Sequence, residues 1–303
     1  MTKPVQNTGP NCWPGDLPVI NPYLAVVLGV AAAAFSSIFT KLAQAPPTVI
    51  AFYRLGFTVL ILTPVTLTTS RRELFSLSRR DVLIAGTAGL FLALHFAVWI
   101  NSLNYTSIAS STVLVTMQPL FVISGGYIFF KERISSRGMA GAAMALLGSI
   151  IIGVNDFRIG GSALWGDFLA FSGAFFVAGY VLIGRSLRRR LSLFPYVFLV
   201  YGAAAVVLLL FSLFSHASLT SFPAMTWIWF LALAVVPTIF GHTVFNWALK
   251  YVKAAVVSVS ILGESVGATV LAYFIFQQVP SILQLVGGLA IICGLYIFIK
   301  STE

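Results

Sequence analysis

Long apolar runs follow one another from about residue 22 onward, each broken by a short cluster of charges, prolines or small polar residues. The apolar/polar alternation of a membrane-barrel strand is absent, and the runs are about twice the length such a strand needs. A helix needs about 20 apolar residues to cross the hydrocarbon core of a bilayer. Cutting the sequence at its charges, prolines and polar clusters leaves ten segments, at approximately 22–43, 47–68, 81–103, 107–130, 137–154, 164–185, 195–214, 227–249, 254–276 and 281–300. The joining loops are too short for a soluble domain. The pattern predicts an all-α membrane protein with ten transmembrane helices.

Composition excludes the alternatives. Of 303 residues, 59% are hydrophobic and 9% charged, against about 45–50% and about 25% in soluble domains. Mean hydropathy is +0.97. A soluble core cannot absorb that much apolar surface, and a disordered chain would be far more polar. Cys12 and Cys293 lie far apart in sequence, which excludes a disulfide scaffold. The net charge of +10 raises nucleic acid as a partner. The basic residues, however, sit in short clusters between apolar runs, where they set membrane orientation instead. Residues 1–21 are polar and proline-rich, without a basic segment leading into a short apolar stretch and a cleavage site, and read as a disordered tail rather than a signal peptide.

Lys and Arg in short loops stay on the cytoplasmic side. Arg71, Arg72, Arg79 and Arg80 follow segment 2, and Lys131, Arg133 and Arg137 follow segment 4. Arg185 and Arg188 to Arg190 follow segment 6, and Lys250 and Lys253 follow segment 8. The other side carries Arg158, with Lys41 at the edge of segment 1. Both the N- and C-termini are therefore expected to be cytoplasmic.

An offset of 146 residues pairs His95 to Gly153 with Gly241 to Ile299 and matches eleven positions, among them Tyr105/Tyr251, Tyr127/Tyr273, Gly141/Gly287 and Gly148/Gly294. Five segments per half is an odd number, so the second half must enter the membrane from the opposite side. The charges agree: Lys131, Glu132 and Arg133 face Gln277, Gln278 and Val279 in the other copy. Two inverted five-helix repeats are a transporter architecture with a midplane site. The expected boundaries are repeat 1 at 22–154, an extracytoplasmic linker at 155–163 and repeat 2 at 164–300.

The run SLNYTSIASSTVLVTMQPLFVISGGYIFFKERIS (102–135), followed by GMAGAAMALLGSIIIG, resembles the EamA-type repeat of the drug/metabolite transporter superfamily. So does PPTVIAFYRLGFTVLIL, where a proline opens segment 2 and Arg54 follows. The resemblance covers residues 22 to 300. It implies a central cavity formed by segments 3, 4, 8 and 9 with parts of 1 and 6. Two departures stand out. The family's loop glutamate is Glu132 in repeat 1 but Gln278 in repeat 2, and its glutamate-proline pair in the ninth helix is Glu264-Ser265 here, with Gln118-Pro119 in the first repeat.

Polar side chains inside these segments supply the candidate site. Glu264 lies near the bilayer centre, where a charge costs at least about 2.5 kcal/mol. It is expected to bind a substrate amine or couple protons, or else to sit neutral between helices. Gln118 is its repeat mate at the same depth. Thr238, His242 and Asn246 are spaced for one helical face toward protein. His95 and Trp99 repeat that spacing, and the indole can stack on a planar or cationic ligand. Packing is the alternative for both histidines. Arg54, Lys41 and Asp167 fall in the outer half, where a mutual ion pair or snorkelling competes with Arg54 as an anion site. Trp165, Trp227 and Trp229 read as interfacial anchors. Gly125-Gly126, Gly287-Gly288 and Gly138 with Gly141 allow close helix approach or a dimer interface.

Gly263-Glu264-Ser265-Val266-Gly267 matches G-x-S-x-G, but a nucleophile elbow needs a strand-to-helix turn and this match falls mid-helix. No H-E-x-x-H, ligand-spaced Cys/His cluster or phosphate-cradling loop is present, so neither enzyme, metal nor cofactor is expected. The sequence points to a secondary transporter of small metabolites in the cell membrane, exporting amino acids or related amphipathic compounds by alternating access. Its partners are a small-molecule substrate and the lipid bilayer, with proton coupling and a monomer or homodimer as open options. The alternative is an organic-anion or nucleotide-sugar type permease using Arg54. The substrate-site candidates are Glu264, Gln118, His242, Asn246, His95 and Trp99.

Overall fold

The computed structural model describes residues 18, 20–106, 108–154, 161–277 and 279–302. Cys12, Arg158 and Gln278, with most of the expected tail and linker, lie outside the described residues. Among the described residues, ten helices are long and apolar enough to cross a membrane: Pro22–Ala43, Pro47–Thr69, Arg79–Ser102, Ser110–Phe130, Ser136–Gly153, Ser162–Arg188, Leu193–Phe214, Ala224–Ala248, Ala254–Phe276 and Ile282–Lys300. They are spans 1 to 10. A short helix, Arg71–Ser76, joins spans 2 and 3. Among the described residues there is no strand.

Local chemistry sets the helix ends. Pro22 and Pro47 occupy first turns, where a missing N–H costs nothing. Ser78 caps span 3 by accepting from the Asp81 N–H at 3.1 Å, and Ser281 with Gln284 forms a capping box at the start of span 10. Spans 4 and 9 end at Lys131 and Gln277, both left-handed at φ 55°. These two positions are repeat mates, so the halves share even their helix stops.

Span 5 packs on span 10, 2 on 7 and 4 on 9, while 3 packs on 6 and 7, and 8 packs on 1 and 2. Span 4 also meets 5 and 6, as span 9 meets 10 and 1. Exchanging the two halves leaves this set of contacts unchanged, which is the mark of a pseudo-twofold axis. The glycines fix its direction. A Cβ on Gly141 would come 2.7 Å from the Gly294 carbonyl oxygen, and one on Gly148 would come 2.6 Å from that of Gly287. Spans 5 and 10 therefore run antiparallel and the repeats are inverted. Gly141 and Gly287 thus serve the contact between the halves rather than a dimer interface. Leu60, Phe129 and Leu213 point outward, as suits a surface solvated by lipid.

Span 6 runs past the expected boundary. Arg185 and Arg188, expected in a cytoplasmic loop, lie in its last turns and are buried. The Glu132 carboxylate and backbone carbonyls at Asn246, Leu249 and Leu191 accept from their guanidinium groups, which is what lets the helix carry them inside.

Candidate functional site

Both repeat-mate spans break at mid-depth. Span 4 is two helices, Ile108–Val115 and Gln118–Phe130. Pro119 supplies no N–H to the Val115 carbonyl, and the chain tightens there, with Met117 N–H to Leu114 O at 3.3 Å and Leu120 N–H to Met117 O at 3.1 Å. Span 9 breaks between Ala254–Ser260 and Gly263–Phe276, where Leu262 N–H reaches Val259 O at 3.1 Å and Glu264 N–H reaches Ile261 O at 2.9 Å. No proline causes this second break; Gly263 opens its second half. The two breaks set Gln118 and Glu264 in the first turns of half-helices near the midplane.

Span 8 is irregular too, with a π-helical stretch at Ala234–Thr243 around Pro237. Pro237 offers no N–H to the Leu233 carbonyl, and the Thr238 hydroxyl donates to that carbonyl at 2.7 Å. Thr238 Oγ1 in turn accepts from Arg54 Nε at 2.7 Å, and Arg54 Nη1 donates to Ser36 Oγ at 2.7 Å. The guanidinium lies over the Phe96 ring, 4.4 Å from its centroid.

The three residues of the expected stripe on span 8 each meet protein. Thr238 meets Arg54 of span 2, and His242 meets the Phe96 ring edge-on at 5.7 Å. Asn246 Nδ2 donates to the Tyr180 and Tyr201 hydroxyls at 2.5 and 3.0 Å. All three face protein, but toward different spans.

His95 Nδ1 lies 3.0 Å from the Gly173 carbonyl, which can only accept, so Nδ1 is assigned the proton. Its ring stacks on Trp99 at 6.0 Å between centroids. One indole face is therefore already covered.

All six substrate-site candidates, His95, Trp99, Gln118, His242, Asn246 and Glu264, line one chamber of about 50 Å³, together with Ser36, Phe96, Tyr180 and Phe245. Three of its lining atoms or groups lack a protein partner or remain open: Gln118 Oε1 and Trp99 Nε1 are buried without a hydrogen bond, and Glu264 is partly exposed into the space. A vestibule of about 1000 Å³, bounded by Lys41, Gln44, Asn104, Thr269, Phe276 and Gln284 among others, adjoins it. Ser36, Trp99 and Glu264 line the chamber while Ser37, Ile100 and Ser265, the next residues along the same spans, line the vestibule. The chamber is thus the vestibule's inner limit.

The opposite, basic end is closed. Glu132 accepts from Arg185 Nε at 3.2 Å and lies 3.8 Å from Arg189 Nη2. Arg185 Nη1 donates to Leu249 O at 2.5 Å, and Arg188 donates to Asn246 O at 3.0 Å and to Leu191 O. Arg190 pairs with Asp81 at 2.8 Å, and Lys253 Nζ donates to Arg133 O at 2.9 Å. Two of these bonds hold the backbone of the segment that carries Asn246, so the closure reaches the chamber wall.

Arg54 lies beside the chamber rather than in its lining. The expected mutual ion pair does not form: Asp167 accepts from Thr106 Oγ1 at 2.7 Å, and Lys41 Nζ stands 5.8 Å over Phe276. Trp165 is exposed as an anchor would be, whereas Trp227 and Trp229 pack into aromatic clusters with Tyr53 and Phe39. Among the described residues no group of three His, Cys, Asp or Glu is placed to hold a metal. Sequence reasoning missed Ser36, Phe96, Tyr180 and Tyr201. The family-implied set of cavity spans pointed toward Ser36, Phe96 and Tyr180 but not toward Tyr201, which is on span 7.

Two inverted five-span halves, with broken helices meeting around a polar chamber at the foot of a vestibule, are the architecture of a membrane transporter. The chain belongs to the EamA-like transporter family, which matches residues 20–154 and 164–300. It is a multi-pass protein of the cell membrane. It is 25% identical over 274 residues to an uncharacterized transporter of Archaeoglobus fulgidus, covering 90% of this chain and 94% of that one. It is 26% identical over 220 residues to the pseudopaline exporter CntI of Pseudomonas aeruginosa strain UCBPP-PA14, covering 72% and 75%. A solved crystal structure of a protein superposes with a TM-score of 0.76 at 17% identity, covering 92% of this chain and 98% of that one, and shares the fold.

Proposed function

We propose that the protein is a secondary transporter that works by alternating access and exports amino acids or related amphipathic metabolites. The observation that carries this reading is the convergence of six polar or aromatic side chains from spans 3, 4, 8 and 9 on one chamber, with Glu264 as the acid that lines it. The name of the relative CntI, a pseudopaline exporter, supports export of a small metabolite.

In this reading the chain is caught with its vestibule open and its basic end shut. The basic end is cytoplasmic, with both termini on that side, and the halves at 22–154 and 164–300 rock about their glycine contact. Free space of about 50 Å³ holds only water. Substrate entry therefore widens the chamber, with Glu264 accepting the ammonium group and Gln118, His242 and Asn246 offering hydrogen bonds. Opening the basic end requires release of Glu132 from Arg185 and Arg189. Proton coupling, where present, runs through Glu264.

The second reading, an organic-anion or nucleotide-sugar type permease, is favoured by one observation: Arg54 Nη2 is buried without a partner. Purified protein in proteoliposomes, loaded with each of the amino acids, simple amines and phosphorylated sugars in turn, tests the two. Saturable counterflow of an amino acid supports the first reading. Counterflow of sugar phosphates alone replaces it with the second.

A further inference from the structure

Arg54 is fully buried, yet both of its hydrogen-bond partners are neutral hydroxyls and its Nη2 has none. Among the described residues, no carboxylate lies within ion-pair distance of it. A cation held in the membrane interior is costly and marks a substrate or ion pathway or an opposite charge; the acid that acts on Arg54 through space is Glu264, which stays beyond salt-bridge distance. The guanidinium is one side-chain layer from the chamber, because Ser36 and Phe96 touch Arg54 on one side and line the chamber on the other. Glu264 lines the same chamber and likewise has no ion-pair partner among the described residues.

We propose that Arg54 and Glu264 form a two-charge clamp for a single zwitterion, Arg54 taking its carboxylate through Nη1 and Nη2 and Glu264 taking its ammonium group. A carboxylate that displaces Ser36 Oγ from Nη1 gains the parallel two-bond geometry for which a guanidinium is suited, and gives Nη2 its missing acceptor. The phenyl ring under the guanidinium and the Thr238 bond hold the fork in place while Ser36 turns away. A simple amine leaves Arg54 unpaired, and a simple anion meets Glu264 unshielded. The pair therefore selects a molecule carrying both charges. The inference rests on the transporter reading and names the substrate class of that same chamber.

The test compares a zwitterion with its two halves: leucine, its decarboxylated analogue 3-methylbutylamine and its deaminated analogue 4-methylpentanoate. Each is used to compete with the amino acid that gives the fastest counterflow in wild type, Arg54→Gln and Glu264→Gln. Affinity ratios within each variant are independent of how much of it folds. In wild type leucine should compete at least about 10-fold better than either analogue. Arg54→Gln should weaken leucine about 10- to 100-fold and leave 3-methylbutylamine unchanged, while Glu264→Gln should weaken leucine and leave 4-methylpentanoate unchanged. Should Arg54→Gln fail to fold, Arg54→Lys, which keeps the charge but loses the fork, should still lower the leucine-to-amine ratio. Equal loss of leucine and amine, or an unchanged ratio in the lysine variant, overturns the clamp and leaves the transporter reading in place. Absence of counterflow for every amino acid in wild type overturns the amino-acid reading itself.

Discussion

Gly148 and Gly287 meet backbone to backbone: a Cβ on either would lie within 2.6 Å of the other's carbonyl oxygen. Gly141 and Gly294 repeat the contact one step along the same pair of spans, in reversed order. Two chains of small residues thus hold the inverted halves together along a seam with no room for a side chain.

Filling that seam should separate the halves. Gly148→Val places branched carbon against the Gly287 carbonyl and should cost about 1–3 kcal/mol or more, seen as a lower melting temperature in detergent. Gly86→Ala, where an added Cβ meets nothing within 4 Å, should be tolerated. Equal melting of the two variants would contradict the packing.

Orientation is tested by labelling. With Cys12 and Cys293 replaced, Phe75→Cys at the basic end should be shielded from an impermeant thiol reagent in intact cells, and Ser218→Cys should react. Both positions are exposed, unlike the buried Arg188. Labelling at 75 but not at 218 would place the termini outside.

The Glu132 ion pairs should set how often the basic end opens. A charge-assisted bond is worth about 1.5–3 kcal/mol. Glu132→Gln should therefore raise the rate of thiol labelling at a buried Leu249→Cys about 10-fold from the basic side. Unchanged labelling would show that the bonds from Arg185 and Arg188 to carbonyls suffice to hold it shut.

Ser265→Ala should leave transport intact. The G-x-S-x-G match sits in the first turn of Gly263–Phe276, a helix in a transporter fold rather than a strand-to-helix elbow. Hydrolysis of a peptide or ester by the pure protein, lost on this change, would contradict the assignment.

The spans, the repeat and its inversion were legible because hydropathy, odd span number and loop charge each act over whole segments. The convergence of the six candidates on one chamber has a related reason: a polar residue at mid-membrane depth must face protein. Partners were not legible, since Arg54 finds Ser36 and Thr238 on two other spans, and no spacing within one helix encodes that. Pro119 signals the break in span 4, but its mate in span 9 has no proline, only Gly263. Arg185 and Arg188 were misplaced because most of their acceptors, the Glu132 carboxylate and the Asn246 and Leu249 carbonyls, lie far along the chain and are invisible to it.

The central claim, that transport passes through the chamber at Glu264, is tested most directly by amino-acid uptake into proteoliposomes carrying equal amounts of wild type or Glu264→Gln, with and without a pH gradient. Glutamine keeps the shape and hydrogen bonding of the side chain while removing its charge and its titratable proton. The account predicts saturable uptake by wild type and, in the variant, either a loss of about 10- to 100-fold in affinity or disappearance of the response to the pH gradient. Affinity, rate and pH response all unchanged in Glu264→Gln would contradict it.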